Sequence, residues 1–347
     1  MKAARLHSYD EDHLHLDDLP DPDLQGHHDV IVRIGGAGLC RTDLHIIEGI
    51  WKDILEPELP YTLGHENAGW VEEVADAVES VAPGDPVIVH PLITCGVCRG
   101  CRRGEDMYCE SSQFPGLDAE GGFANFLRTS ERSVIKLDQR LDPKDVAPFA
   151  DAGITAYRAA KKAAARLAPG SRCVVIGVGG LGHVGVQVLR ALCATRIIAV
   201  DNSDEALKLA GELGADELVA SDEHVVDRIK ELSDGSGVDA VIDFVGEHGT
   251  TDEGPAMLTQ GGRYYVVGYG GRVDLPAIDM IFNEIEVIGN LVGNYLELME
   301  LMQLAAEGKV KLHTKTYGLE AINEAIDDFV AGGIHGRGVI VPDGRPA

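Results

Sequence analysis

The sequence is short of basic residues and has no long apolar runs. Thirty lysines and arginines stand against 57 aspartates and glutamates, which gives a net charge of -27. Such a negative field repels nucleic acid and anionic membrane surfaces, so we expect neither as a partner. No apolar run approaches the roughly 18 residues that a bilayer-spanning helix needs. The first residues, MKAARLHSYDEDHLHL, lack the apolar core of a signal peptide, so we expect a cytoplasmic protein.

The acidic excess is spread evenly along the chain. Residues 1–150 carry 28 acids and 13 bases, and the remaining residues carry 29 acids and 17 bases. Of the basic residues, 19 are arginines and only 11 are lysines. A uniformly acidic, lysine-poor surface is typical of proteins in high salt, where counterions screen self-repulsion. We therefore expect a halophilic origin, and the alternative is an ordinary acidic cytosolic protein.

Four of the seven cysteines lie in one short run, CGVCRGCRRGEDMYC. Cys95, Cys98, Cys101 and Cys109 have the spacing C-x2-C-x2-C-x7-C. Four thiolates this close can surround one tetrahedral Zn2+ ion, so a structural zinc site is the favoured interpretation. A [4Fe-4S] cluster is the main alternative, because ferredoxin runs begin with the same spacing. Two disulfides are the weaker alternative, because neighbouring cysteines bridge poorly and the cytoplasm keeps thiols reduced.

The pattern of the chain changes near residue 170. Before it, VIVRIGGAG, AGWVEEV and DPVIVH are typical of short strands between glycine and proline turns. After it, strands such as CVVIGVG and IIAVD alternate with helices such as LGHVGVQVLRALCA. This alternation predicts a doubly wound parallel sheet, so the chain belongs to the α/β class. Cys173 and Cys193 lie in apolar strand and helix contexts, and we interpret them as core residues.

A glycine-rich turn follows the first strand of that series and opens the next helix. Its residues are Gly177, Val178, Gly179, Gly180, Leu181 and Gly182. A G-x-G-x-x-G turn lets the backbone approach a pyrophosphate at the helix N-terminus. Asp201 ends the next strand, 24 residues after Gly177, where a carboxylate can bind the adenosine ribose hydroxyls. That carboxylate repels a 2′-phosphate, and the residue after it is Asn202 rather than arginine, so we expect NAD in preference to NADP.

A second set of metal-ligand residues is spread more widely along the chain. Cys40 follows a glycine-rich strand end, His65 and Glu66 come 25 and 26 residues later, and Asp151 is a candidate third ligand. A catalytic zinc site has three protein ligands and one open position. The spacing alone leaves the alternative open that Cys40 is a stray cysteine and His65 a core histidine.

The ordered motifs C-R-T-D-x-H, G-H-E-x-x-G, the four-cysteine run, G-x-G-G-L-G and a terminal G-R-G-V-I resemble those of the zinc-dependent medium-chain alcohol dehydrogenases. The resemblance covers essentially the whole chain. It implies a GroES-like, β-rich catalytic domain over residues 1–152 and 294–347, with the structural zinc lobe at about 92–112. It also implies a Rossmann domain that binds NAD over residues 153–293.

The resemblance implies two zinc ions in each chain. Cys40, His65 and Asp151 match the ligands of the catalytic ion, although many members have cysteine where this chain has Asp151. Glu66 matches a residue that can approach the zinc during ligand exchange. Asp43 matches the partner of His65 that fixes the imidazole tautomer.

The resemblance also assigns roles in proton transfer and cofactor binding. Thr42 and His45 match the relay that carries the proton of the substrate hydroxyl to solvent. Arg41 and Arg337 match contacts with the pyrophosphate, and Thr155 matches a contact with the nicotinamide.

The implied function is reversible transfer of hydride between a primary or secondary alcohol and NAD, which gives an aldehyde or a ketone. A sugar or polyol dehydrogenase of the same superfamily is the alternative. A quinone reductase is disfavoured, because such members lack the metal-ligand positions. A redox sensor that binds NAD without turnover is a further, weaker alternative, since all three ligand positions are occupied here.

The substrate pocket and the oligomeric state are less well defined by the sequence. Six residues are candidates for lining the pocket, each with core packing as an equal alternative: Trp51, His90, Pro91, Leu92, Phe114 and Leu117. Few of them are polar, which favours simple alcohols over sugars. The resemblance implies a dimer that forms through the sheet edges of the Rossmann domain and pairs into a homotetramer.

The even acidity predicts that the protein needs salt. In low salt the unscreened carboxylates repel one another, so the fold should loosen and the thermal midpoint should rise as KCl is added. The measurement is thermal unfolding across a KCl series, with activity followed after dialysis. Full activity after prolonged dialysis into low salt would contradict the prediction.

Overall fold

The computed structural model describes residues 1–9, 11–52 and 57–342 of the chain. These residues form two compact units. The first comprises Met1–Ala152, Gly293–Ala306 and Leu312–Ala347, and the second comprises Gly153–Val292 and Glu307–Lys311. Residues 343–347, which the predicted catalytic domain includes, lie outside the described residues.

Strands alternate with helices throughout the second unit. In chain order the strands are β1 (Lys2–Leu6), β2 (His15–Asp18), β3 (Asp29–Leu39), β4 (Tyr61–Thr62), β5 (Glu66–Val74), β6 (Pro86–Val89), β7 (Phe126–Ser130), β8 (Val134–Lys136), β9 (Arg172–Ile176), β10 (Arg196–Asp201), β11 (Glu217–Ala220), β12 (Val238–Asp243), β13 (Leu258–Val266), β14 (Glu286–Gly289), β15 (Thr314–Gly318) and β16 (Arg337–Val341). The α-helices are α1 (Arg41–Ile47), α2 (Arg99–Arg102), α3 (Pro143–Val146), α4 (Ala152–Ala164), α5 (Gly182–Leu192), α6 (Asp204–Glu212), α7 (Val225–Leu232), α8 (Thr250–Ala256), α9 (Ala277–Asn283), α10 (Tyr295–Ala306) and α11 (Ile322–Val330).

The described residues of the first unit form two sheets. One has the strand order β2-β1-β4, and the other has the order β15-β16-β3-β5-β6-β8, with β7 paired to β3. Strand β3 is the centre of the larger sheet, because it pairs antiparallel with β5, β7 and β16. Its β-branched residues Val30, Val32 and Ile34 are buried in the core, as such side chains favour a pleated, packed surface.

The second unit contains a single parallel sheet in the order β11-β10-β9-β12-β13-β14. In chain order these strands are third, second, first, fourth, fifth and sixth, which is the doubly wound order that binds dinucleotides where the order reverses. Strand β9 is buried over Cys173–Ile176, as the apolar run CVVI predicts. The predicted doubly wound sheet is therefore confirmed, and its first strand leads directly into the glycine-rich turn.

One short segment belongs to the second unit, although the predicted boundary assigns it to the catalytic domain. Glu307–Lys311 groups with the Rossmann-like sheet and its helices. The physical reason is a pair of side-chain bonds from Gln187 on α5. Its amide nitrogen donates to the Lys311 carbonyl and its amide oxygen accepts from the Lys311 N–H, both at 2.9 Å.

Among the described residues, no helix is both long enough and apolar enough to cross a membrane.

Two adjacent tyrosines of β13 allow a test of what stabilises the second unit. Tyr264 donates its hydroxyl to the buried carboxylate of Asp243 at 2.6 Å, whereas Tyr265 donates to the Lys162 carbonyl at 3.3 Å. Tyr264→Phe removes a bond to a charged acceptor, so it should lower the free energy of unfolding by about 1.5–3 kcal/mol. Tyr265→Phe is the matched control and should cost about 1 kcal/mol or less. If denaturant unfolding shows equal losses of unfolding free energy in the two variants, the bond from Tyr264 to Asp243 stabilises the unit no more than the bond from Tyr265 does.

Candidate active site

Four potential metal ligands from distant parts of the chain meet in the first unit. Cys40 lies between β3 and α1, His65 and Glu66 lie at the start of β5, and Asp151 follows the 3-10 turn Ala147–Ala150. One ligand atom from each lies within 4.8 Å of the others. Cys40, His65 and Glu66 are buried and Asp151 is half-buried. The structure thus brings together the set Cys40, His65, Asp151 and Glu66 that the sequence analysis singled out.

Asp43 orients two members of this cluster. It is fully buried, accepts from the Cys40 N–H at 2.8 Å and lies 3.2 Å from Nδ1 of His65. Because an ionised carboxylate only accepts, Nδ1 of His65 carries the proton and Nε2 presents its lone pair to the cluster. That Nε2 atom lies 3.5 Å from the Asp151 carboxylate. The tautomer of His65 is therefore the one that a metal ligand requires.

The charges around His65 also favour a cation. Burial opposes a charge on the imidazole, but Asp43, Asp151 and Cys40 together raise the pKa of His65 well above its ordinary value, so they favour a positive charge at Nε2, which either a proton or a metal ion supplies. Nε2 of His65 and Oδ1 of Asp151 are buried and have no hydrogen-bond partner. Buried polar atoms normally have a hydrogen-bond partner, so the lack of a partner at these two atoms indicates a position where an ion can bind. A thiolate, an imidazole and a carboxylate form a donor set that suits Zn2+, and the residues therefore fit the metal.

Glu66 is held by partners other than the cluster. Its Oε1 accepts from the Ala152 N–H at 3.0 Å and its Oε2 accepts from Arg337 at 2.5 Å. Burial raises the pKa of Glu66, and the Arg337 guanidinium opposes this rise. The carboxylate also fills the space beside Gly38, where a Cβ atom would lie 1.9 Å from Oε2. Arg337 is 2% exposed and lies on Glu66, and its predicted pyrophosphate contact stays a prediction.

Helix α1 carries the predicted proton relay next to the cluster. Thr42 and His45 are half-buried and three residues apart, so they share one face of the helix. Arg41 is the exposed first residue of the same helix. Among the pocket candidates, Phe114 packs its ring edge-on against His65, with 5.9 Å between ring centroids. Phe114 therefore lines the metal cluster.

The other pocket candidates have structural partners. Leu117 is buried in the main core of the unit, and Trp51 packs against that core. His90 is 2% exposed, and its Nε2 lies 3.0 Å from the Gly293 carbonyl. Burial lowers the pKa of His90, and Nε2 carries the proton of this bond because a carbonyl oxygen only accepts. Pro91 and Leu92 are also buried, and the Leu92 carbonyl accepts from Ser133.

The four-cysteine run folds into a compact lobe with all four sulfur atoms within 4.8 Å of one another. Sγ of Cys101 lies 4.0 Å from that of Cys95 and 3.6 Å from that of Cys98, and all four cysteines are free thiols. A tetrahedral zinc with Zn–S bonds of about 2.3 Å separates its thiolates by roughly 3.8 Å. A [4Fe-4S] cluster holds them further apart, because each binds a different iron. The spacing of the sulfur atoms fits a single zinc.

The four-cysteine lobe is hydrogen-bonded to the segment in which the chain returns to the first unit. Asp106, buried within the lobe, accepts from the Tyr295 N–H at the start of α10 at 3.0 Å. The Tyr295 hydroxyl donates to the Val134 carbonyl at 2.9 Å. With the His90–Gly293 contact, these bonds fix the return segment 293–295. No sequence motif pointed to Asp106, because its role depends on a contact 189 residues away.

The glycine-rich turn has two kinds of glycine. At Gly182 a Cβ atom would lie 1.9 Å from the Gly177 carbonyl, and at Gly177, where φ is +79°, it would lie 2.5 Å from Val245. At Gly179 nothing lies within 4 Å, so the exposed middle of the turn leaves room for a ligand. Asp201 accepts from the Val178 N–H at 2.7 Å. Its carboxylate thus lies against the turn, as in dinucleotide-binding sites.

The remaining cofactor candidates belong to the same unit as the turn. Gly180 and Leu181 complete the turn, and Leu181 precedes the first residue of α5. Thr155 is half-buried on α4.

Two site residues escaped the sequence analysis. Gly38 leaves space for the Glu66 carboxylate, and Asn67 donates to the carbonyl of Gly64 at 3.0 Å, one residue before the predicted ligand His65. The only signal for Asn67 was its position directly after the G-H-E motif.

Comparison with known proteins agrees with this geometry. Residues 26–139 match the family "Alcohol dehydrogenase GroES-like domain" and residues 180–307 match "Zinc-binding dehydrogenase". The NAD-dependent alcohol dehydrogenase of Sulfurisphaera tokodaii is 38% identical, over 99% of this chain and 100% of that protein. The D-arabinose 1-dehydrogenase (NADP(+)) of Saccharolobus solfataricus is 36% identical, over 98% of this chain and 97% of that protein. The crystal structure of the alcohol dehydrogenase from Aeropyrum pernix gives a TM-score of 0.94 at 50% identity, over 99% of this chain and 100% of that one.

The fold and the matched regions define a dehydrogenase with a GroES-like domain and a Rossmann-type domain. The predicted fold class is confirmed. The chain belongs to the zinc-type medium-chain alcohol dehydrogenase family.

The lobe generates a prediction about metal content. Backbone N–H groups of Val97 and Cys98 lower the pKa of Cys95 to about 6, whereas burial raises that of Cys101 to about 12. The Cys95 thiol therefore ionises more readily than the Cys101 thiol, and a bound cation would favour the thiolate form of both. Cys98→Ser should reduce the bound zinc by one ion per chain and lower the thermal midpoint. Cys193→Ser, a half-buried thiol outside both clusters, is the control and should keep the metal. Unchanged zinc in Cys98→Ser by elemental analysis would contradict the assignment.

Proposed function

We propose that this chain is a zinc-dependent, NAD-linked alcohol dehydrogenase that interconverts a primary or secondary alcohol and its aldehyde or ketone. One observation carries the proposal. The buried cluster of Cys40, His65 and Asp151 contains two polar atoms without hydrogen-bond partners, in a donor set that suits zinc with an open position. Cys95, Cys98, Cys101 and Cys109 would hold a second, structural zinc.

The proposed catalytic residues have two roles, metal binding and proton transfer. Cys40, His65 and Asp151 would hold the zinc, and Asp43 keeps Nε2 of His65 free to bind it. Bound zinc supplies a Lewis acid for the alcohol oxygen, and bound NAD supplies the hydride acceptor. Thr42 accepts the proton of the substrate hydroxyl and passes it to His45, which releases it to solvent. Phe114 adds an apolar wall beside His65.

The choice of NAD rests on Asp201. Its carboxylate lies 2.7 Å from the Val178 N–H of the glycine-rich turn, where it can accept from the ribose hydroxyls and repel a 2′-phosphate. Gly177, Gly179, Gly180, Leu181 and Gly182 would contact the pyrophosphate with Arg41 and Arg337, and Thr155 would contact the nicotinamide.

A sugar dehydrogenase is the second candidate function. It is supported by the 36% identity to an enzyme named D-arabinose 1-dehydrogenase (NADP(+)). Against it stand the apolar ring of Phe114 at the cluster and the carboxylate of Asp201 at the cofactor turn.

The homotetramer, the cytoplasmic location and the halophilic origin stay predictions. A tetramer built from dimers is supported by the edge strand β14 and by apolar side chains on α9, of which Ile281 is 71% and Phe282 is 72% exposed. Exposed apolar patches of this kind often mark protein interfaces. The acidic composition supports adaptation to salt, and the seven free thiols suit a reducing compartment.

Initial rates over a substrate panel test the proposed function. The panel contains ethanol, 2-propanol, 1-butanol, sorbitol, glucose and D-arabinose, in high KCl, with NAD and NADP side by side and a zinc chelator as the control. We expect chelator-sensitive formation of NADH from the simple alcohols. Turnover confined to the sugars would keep the chemistry and overturn the substrate class. No turnover on any substrate by metal-loaded protein would favour a non-catalytic NAD-binding role.

A further inference from the structure

The peptide bond that precedes His65 is held by two hydrogen bonds. The Gly64 carbonyl accepts from the Asn67 side-chain amide at 3.0 Å and from the Gly122 N–H at 2.7 Å. Both lone pairs of this carbonyl oxygen are therefore in use. Because the peptide unit is planar, fixing the carbonyl also fixes the direction in which the chain enters His65.

The surroundings leave this peptide unit little freedom. Gly64 has a φ of +96°, and a Cβ atom at Gly116 would lie 2.5 Å from the Gly64 carbonyl carbon. Residues 121–123 run alongside residues 62–64, with the Phe123 N–H donating to the Leu63 carbonyl at 2.9 Å. The turn before His65 is thus packed backbone against backbone, and Asn67 supplies its side-chain bond.

Asn67 occupies its position at a cost. It is 2% exposed, and its Oδ1 atom is buried without a hydrogen-bond partner. Leaving such an acceptor unsatisfied is unfavourable. The same oxygen points at Gly122, where a Cβ atom would lie 1.7 Å away. The arrangement exists only because residue 122 has no side chain, which links Asn67 to Gly122 as a pair.

We propose that Asn67 is a positioning residue for the catalytic metal and that it acts through the Gly64 carbonyl on the ligand His65. Asp43 fixes the rotation of the imidazole from one side, and Asn67 fixes the backbone that carries it from the other. Gly122 provides the space that Asn67 needs. This inference rests on the proposed function, because it takes His65 as a metal ligand.

Metal affinity, rather than activity, is the test of this role. Asn67→Ala removes the bond to the Gly64 carbonyl and should weaken zinc binding at the cluster by about tenfold, the lower end of the effect of groups that support metal ligands. The readouts are the fraction of zinc released to a fixed concentration of chelator and the rise in thermal midpoint on adding zinc. Both are measured on the full chain with its four-cysteine lobe intact.

Asn323→Ala is the matched control. Asn323 also lies in the first unit and donates to a backbone carbonyl, that of Leu14, at 3.0 Å, without touching the metal cluster. It should lower the thermal midpoint but leave zinc retention unchanged. If Asn67→Ala retains zinc as well as Asn323→Ala does, Asn67 is a structural residue only and the inference is overturned. A native chain that holds no zinc at the cluster overturns the proposed function as well, so the two failures are distinguishable.

A double-mutant cycle tests the pairing with Gly122. Gly122→Ala alone should strongly lower zinc retention and stability, because its Cβ atom displaces the Asn67 amide. In the Asn67→Ala background the clashing atoms are gone, so adding Gly122→Ala should have a much smaller effect than in the native chain. Additive effects of the two changes on zinc retention would contradict the proposed link.

Discussion

The first unit depends on one buried cluster of ionisable side chains, each of which needs a partner. Cys40, His65, Glu66 and Asp151 lie within 4.8 Å of one another, where little water can screen them. A buried anion is tolerated only when it is paired and hydrogen-bonded. Arg337 pairs with Glu66, and Asp43 lies on Nδ1 of His65, which leaves Nε2 of His65 and Oδ1 of Asp151 without hydrogen-bond partners. The surrounding strands are arranged to supply these partners.

The same requirement explains several positions without charge. Glu66 can lie beside β3 only because Gly38 has no side chain, and its second oxygen is satisfied by the Ala152 N–H. Asn67 and Gly122 brace the neighbouring ligand by the same combination of a polar side chain and an empty position. At Gly38 and Gly122, glycine is required because a polar side chain fills the space that a Cβ atom would occupy. The backbone of Gly38 does not have a positive φ, so its conformation does not require glycine.

The sequence predicted those parts of the fold and site that repeat a local pattern. The Gly177–Gly182 turn and Asp201 follow the fixed geometry of a strand, a turn and a helix, and the doubly wound sheet was confirmed. Asn67 and Asp106 were missed because their importance comes from backbone groups that only the folded chain brings near them. Arg337 shows the same limit, because its ion pair with Glu66 joins residues 271 positions apart. A sequence pattern predicts functional groups that lie close together in the chain, but it says little about contacts between distant residues that form only by tertiary packing.

The two metal-ligand clusters differ in how much of the chain each one needs. The four-cysteine cluster closes over residues 95–109, so its loop entropy cost is small and it can form as soon as that stretch leaves the ribosome. The other cluster joins Cys40 and His65 to Asp151, and the charge of Glu66 is balanced only when β16 brings Arg337. Under the proposed function, the lobe would therefore be able to bind its zinc early in synthesis, whereas the cluster of Cys40, His65 and Asp151 would be complete only after β16 has been made.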